Sequence, residues 1–212
     1  QDAVKNAEAY LENGTKDQVD KAVSDLENAV NGLVEKTEVT VDDVIAEMEK
    51  INGKDYTEVS FGALQDAISK AKADKDQANI TAMKEAKAAL VSIVDLKAAL
   101  NEAAQHKAGT YTVSSYKLLK DAVTNAEPLK VNGTKEEVAN AAAAIRAAIK
   151  GLDKRAVGLD EYRDSIVLKK PEGYTEESYA AYKNAYDALM ALDSKETTAE
   201  MFANAKSAFE AA

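Results

Sequence analysis

Apolar residues return at helical spacing along almost the whole chain. Val41, Val44 and Met48 fall on one stripe of a short helix, and Leu96, Ala99 and Ala103 repeat it. Leu159, Tyr162 and Ile166 repeat it again. A second stripe follows each time: Leu64, Ala67 and Ile68, then Leu119, Ala122 and Val123, then Tyr182, Ala185 and Tyr186. A third helical pattern closes each round, at 79–93, 134–152 and 196–212. The chain therefore reads as three three-helix units. Residues 1–19 match 120–138, so a partial unit with only second and third helices precedes them.

Between the first and second helix of each complete unit stands one hexapeptide. It reads YTEVSF at 56–61, YTVSSY at 111–116 and YTEESY at 174–179. A threonine at the N-cap accepts from the backbone N–H three residues on, and the residue before it can clamp the aromatic at the fourth helical position. This assigns Thr57, Thr112 and Thr175 as caps, with Ser60, Ser115 and Ser178 reaching back to them as a weak capping box. Tyr56 with Phe61, Tyr111 with Tyr116, and Tyr174 with Tyr179 become hydrophobic staples. This structural reading accounts for every fixed position and is preferred to a ligand site in triplicate. TKDQ at 15–18 and TKEE at 134–137 are full capping boxes, each preceded by an Asn-Gly turn.

The fold class is all-α: tandem three-helix bundles arranged as an elongated rod. The units run 1–34 (partial), 41–93, 94–152 and 159–212. KAALVSIVDLKAALNEA at 87–103 has neither Pro nor Gly, which predicts one continuous helix through that joint. Gly32 and Gly151 mark glycine C-caps at the other joints, with Ser92 read as their counterpart. Softer links are then expected at 37–41, read as extended, and at 153–162.

Composition narrows the chemistry. Lys+Arg 27 against Asp+Glu 37 leaves a net charge of -10, which disfavours nucleic acid and anionic membranes as partners. No apolar run approaches ~20 residues, so no membrane insertion is expected. The chain starts without Met and without a signal peptide, already in helical rhythm, and is read as a fragment of something longer. Cysteine is absent, so disulfides and thiolate chemistry are excluded. The single histidine, His106, aligns with Ile51 and Lys169 and so is not maintained for imidazole chemistry. No phosphate loop, calcium loop or zinc pattern is present. The expectation is of no catalytic residue, no metal and no cofactor.

Five of the tyrosines fall in the last unit, and aromatic platforms bind sugars. Tyr162, Tyr182 and Tyr186 align with Val44, Leu64 and Ile68, which favours core positions enlarged in one unit. With Tyr10, which aligns with Leu129 in a loop, they are the candidate ligand surface.

An apolar helix, the Tyr-Thr-x-x-Ser-aromatic hexapeptide, an Ala-rich second helix, a Gly-Thr turn and a third helix ending near Gly-Leu together resemble the FIVAR domains. Residues 111–152 and 174–192 carry the resemblance most specifically. The partial unit lacks the hexapeptide, and KDQANIT at 75–81 replaces the Gly-Thr turn. The resemblance implies three-helix modules in extracellular proteins of Gram-positive bacteria, secreted or associated with the cell wall. It implies no catalysis. Two roles follow: a spacer or stalk, monomeric within a longer chain, or a binding module of an adhesin or of a secreted glycoside hydrolase. The resemblance names a host matrix protein such as fibronectin, or a hyaluronate-like glycan, as partner. The acidic balance weighs mildly against hyaluronate.

Overall fold

The computed structural model describes residues 2–33 and 39–212. The described residues are all-helical apart from isolated β-bridges. They fall into two units, 1–40 and 41–212. The extended link read at 37–41 begins outside the described residues, as do both ends of the 1–34 unit.

In the first unit α1 (Asp2–Glu8) packs on α2 (Lys16–Asn31). Thr15 starts α2 with a closed capping box: the Gln18 N–H donates to Thr15 Oγ1, and the Thr15 N–H donates back to Gln18 Oε1 at 2.9 Å. Gly14 is needed for space. A Cβ there would lie 2.7 Å from the Tyr10 carbonyl oxygen. The stripe of α2 is poorly covered: Ala22 is buried, whereas Val19, Val23 and Val30 are exposed.

The second unit begins with α3 (Val41–Met48), α4 (Glu58–Ala73) and α5 (Ala78–Ala88). Val41, Val44, Ile45 and Met48 sit at i, i+3, i+4 and i+7 and are all buried, as a one-sided helix requires. They meet Leu64 and Ile68 of α4 and Ile80 and Met83 of α5. Next come α6 (Val94–Ala103), α7 (Val113–Ala126), the single turn α8 (Leu129–Asn132) and α9 (Lys135–Lys150). Pro128 interrupts α7 because it has no N–H to donate to the Thr124 carbonyl and its ring crowds that oxygen, although Glu127 before it keeps α geometry. Leu96, Ala99, Leu119, Val138, Ala142 and Ile145 form that core. The last group is α10 (Leu159–Ser165), α11 (Glu176–Met190) and α12 (Ala199–Ala211), around Ala156, Leu159 and Leu189 with aromatic rings at the edge.

The joint at 87–103 departs from the expected continuous helix. α5 stops at Ala88, and α6 starts only at Val94. The intervening backbone is claimed elsewhere. Thr57 N–H donates to the Val91 carbonyl at 2.9 Å, and Ile93 N–H donates to the Asp55 carbonyl at 2.8 Å. This crossing also lets Leu90 enter the α3–α5 core while Ile93 enters the α6–α9 core. On one helix those two side chains would share a face. Lys135 Nζ donates to the Ala88 carbonyl at 3.0 Å and so caps the end of α5 from the neighbouring group.

The joint after α9 also departs from expectation. The supposedly soft link is tied on two edges: Arg155 N–H donates to the Thr110 carbonyl, and Ala156 N–H donates to the Thr197 carbonyl at 2.8 Å. Gly32 and Gly151 are C-caps, as expected, but with φ of -85° and -86°, so they end their helices without a left-handed turn. The structural counterpart of Gly151 is the C-cap Ala89, not Ser92.

Candidate functional site

Each copy of the hexapeptide stands at a helix start. Thr57, Thr112 and Thr175 are the N-caps of α4, α7 and α11, and each Oγ1 accepts from the N–H of Ser60, Ser115 or Ser178. The serine does not complete a capping box. Its Oγ accepts from the threonine Oγ1 and donates to the threonine carbonyl. The threonine N–H, which a capping box would use, is already committed to the exit strand: Thr57 to Val91 and Thr112 to Asp153, both at 2.9 Å.

The serine performs a different task. Ser60 Oγ accepts from Val91 N–H at 3.1 Å, and Ser115 Oγ accepts from Asp153 N–H at 3.2 Å. Threonine and serine together hold both polar atoms of one residue in the chain that leaves the third helix. Antiparallel bridges Tyr56 to Ser92 and Tyr111 to Lys154 complete the contact. The hexapeptide is thus a latch between the start of a second helix and the exit from a third. Buried polar atoms here are costly unless paired, and they are paired. Thr57 and Thr112 are 1% and 2% exposed. A serine fixed at the third helical position where glutamate would serve a capping box better was the signal for this role.

The aromatic members close against the segment that follows each first helix. Tyr56 and Phe61 pack on the α3–α5 core, and a Cβ at Gly53 would lie 2.3 Å from the Phe61 ring. The Tyr111 hydroxyl lies 2.8 Å from His106 Nδ1, and Tyr116 OH donates to the His106 carbonyl at 3.4 Å. His106 lies beyond the end of α6, with its ring against Tyr111. Tyr179 OH donates to the Lys169 carbonyl at 3.0 Å. Tyr174 differs from Tyr56 and Tyr111 in being 53% exposed.

The candidate ligand surface is not one surface. Tyr182 is buried and lies tilted against Phe209 with ring centres 5.5 Å apart, while its hydroxyl accepts from Lys169 N–H and donates to the Val167 carbonyl. Half-buried Tyr162 meets Phe202 edge-on at 5.7 Å and donates to Glu210 Oε1 at 3.0 Å. Burial, then Glu210, pushes its phenol pKa upward. Tyr186 is half-buried against Phe209. Tyr10 belongs to the first unit, where it lines a shallow apolar hollow with Leu11 and Leu26. Tyr162, Tyr182 and Tyr186 serve the α10–α12 packing and do not form a flat platform.

Charged contacts brace the helices from outside. Arg146 grips Asp95 through two nitrogens, at 2.9 and 2.7 Å, and lies 3.4 Å from Glu102. The guanidinium holds the Asp95 carboxyl below its ordinary range, mainly by hydrogen bonding, and the Arg146 pKa is raised in turn. Lys87 does the same to Glu47 at 2.6 Å, and the Thr134 N–H does so to Glu137. Glu196 reaches across from the α11–α12 loop to cap α7: both carboxylate oxygens accept from Ser114 N–H, and Oε2 accepts from its hydroxyl at 2.6 Å. Sequence spacing gave no hint of this contact between residues far apart in the chain. Among the described residues no group of three or more His, Asp or Glu side chains is placed to hold a metal. No described helix is long and apolar enough to cross a membrane.

The chain is similar to the polysaccharide lyase 8 family protein HylA of Enterococcus faecalis, with 29% identity over 206 residues. The match takes in 85% of the chain but only 15% of HylA. No protein-family model matches the chain. No solved structure matches it.

Proposed function

We propose that this chain is a non-catalytic, FIVAR-like helical repeat region of an extracellular bacterial protein. In this reading it serves as a spacer that positions a polysaccharide-acting region. The observation that carries the reading is the partial match to HylA: the similarity covers a small fraction of a polysaccharide lyase and leaves most of that protein outside it. The latches support the same reading. They spend the motif's polar atoms on joining consecutive helical groups, as a spacer that keeps its geometry requires. The acidic surface, with net charge -10, limits adhesion to anionic polymers.

A glycan-binding accessory role is the second reading, and exposed Tyr174 beside Lys169 favours it. Two measurements separate the readings. Small-angle scattering should give a radius of gyration well above the ~17 Å of a compact globule of this length. A value near ~17 Å contradicts the spacer. A glycan array and a fibronectin titration should give no saturable binding. Saturable binding abolished by Tyr174→Ala replaces the spacer reading with the accessory one.

A further inference from the structure

Two copies of the latch hold a backbone segment, and the third presents the same receiving atoms uncovered. At the closed copies the order is constant. The third helix ends at a C-cap, Ala89 or Gly151. A leucine follows, Leu90 or Leu152. The next residue, Val91 or Asp153, gives its carbonyl to the threonine N–H and its own N–H to the serine Oγ. The third copy has the receiver already formed. Ser178 N–H donates to Thr175 Oγ1 at 3.2 Å, and Ser178 Oγ donates to the Thr175 carbonyl at 3.1 Å. Yet Thr175 and Ser178 are exposed. Among the described residues no backbone carbonyl accepts from Thr175 N–H, and no N–H reaches Ser178 Oγ.

The approach is in place as well. Ala212, as far from the cap Thr198 as Ala148 is from the cap Thr134, lines a small hollow with Ser178, Tyr174, Tyr179, Tyr182 and Lys169. We propose that Tyr174, Thr175 and Ser178 form a docking edge for an extended peptide segment of the Leu90–Val91 or Leu152–Asp153 type. The segment is recognised through its backbone, since valine and aspartate make the same two hydrogen bonds at the closed copies. Its leucine, constant at both closed copies and packed on the core there, reaches the apolar rings of the hollow and sets the segment apart from a leucine-free tail. Lys169 in the hollow favours the aspartate version. The inference stands on the internal repeat and does not depend on the spacer reading.

The test is to append Ile-Lys-Gly-Leu-Asp-Lys-Arg-Ala, the sequence of residues 149–156 that follows Ala148, after Ala212 and follow amide hydrogen exchange by NMR. The Thr175 amide should slow by about tenfold or more, the response expected of a newly closed hydrogen bond. Ser178→Ala in the extended chain should remove much of that gain. A Gly-Ser tail of equal length should give none. The docking edge is overturned if Thr175 exchanges equally in the extended and original chains, or if the Gly-Ser tail protects it as well.

Discussion

The group at 41–93 and the group at 156–212 start their second helices with nearly the same six residues, yet those residues end in opposite environments. Thr57 is 1% exposed because the exit chain from α5 lies across it. Thr175 makes the same local cap and remains exposed. The cores differ in parallel. Val44, Leu64 and Ile68 are buried in the first group, whereas half-buried tyrosines stand for Val44 and Ile68 in the last. Tyr162 pairs its hydroxyl with Glu210, which holds its ring at the edge of the core. The hexapeptide fixes where a helix begins. A tertiary partner decides whether the motif becomes part of the interior.

The largest expected contrast lies in the cores. Leu64→Ala should cost about 3 kcal/mol and Leu189→Ala about 2, because fewer rigid neighbours surround the second cavity and it can collapse. Denaturant unfolding followed by circular dichroism checks both, and a reversed order breaks the comparison. Next in size is the turn before α9. Gly133→Ala puts a Cβ 2.7 Å from the Leu129 carbonyl oxygen and should cost about 1–3 kcal/mol. Gly62→Ala, on α4 where a Cβ meets open space, should instead stabilise by about 0.5–1 kcal/mol.

The latch serines come third. Ser115→Ala strands the Asp153 N–H and should cost about 1–2 kcal/mol, whereas Ser178→Ala should stay within about 0.5 kcal/mol. Equal costs would show that the exit-strand bond is energetically idle. The smallest effect is that of pH. Glu47, Asp95 and Glu137 have folded-state pKa values below their ordinary ones. Their contribution is therefore complete above the ordinary carboxylate range and lost as pH falls through the lowered values. All three are on the surface, so the acid loss should be modest and should shrink further in high salt. Thermal midpoints measured between neutral and acid pH, with and without salt, check the sign.

Helices and their starts were legible in the sequence because caps and apolar periodicity are local. Thr15, Thr134 and the three latch threonines all stand at helix starts. The break at 89–93 was not legible, since no residue there opposes a helix. Leu90 and Ile93 are drawn apart into different cores, and the Thr57 edge claims the backbone between them. The second duty of Ser60 and Ser115 was hidden for the same reason: their partners lie far along the chain. The tyrosines of the last group were legible as core-edge residues only through alignment with Val44, Leu64 and Ile68.

Amide hydrogen exchange on the unmodified chain tests the central claim, that the hexapeptide secures the chain's own backbone. Thr57 and Thr112 amides should be strongly protected, and the Thr175 amide should exchange near the rate of an open chain. Fast exchange at Thr57 and Thr112, with no more protection than at Thr175, would contradict the latch.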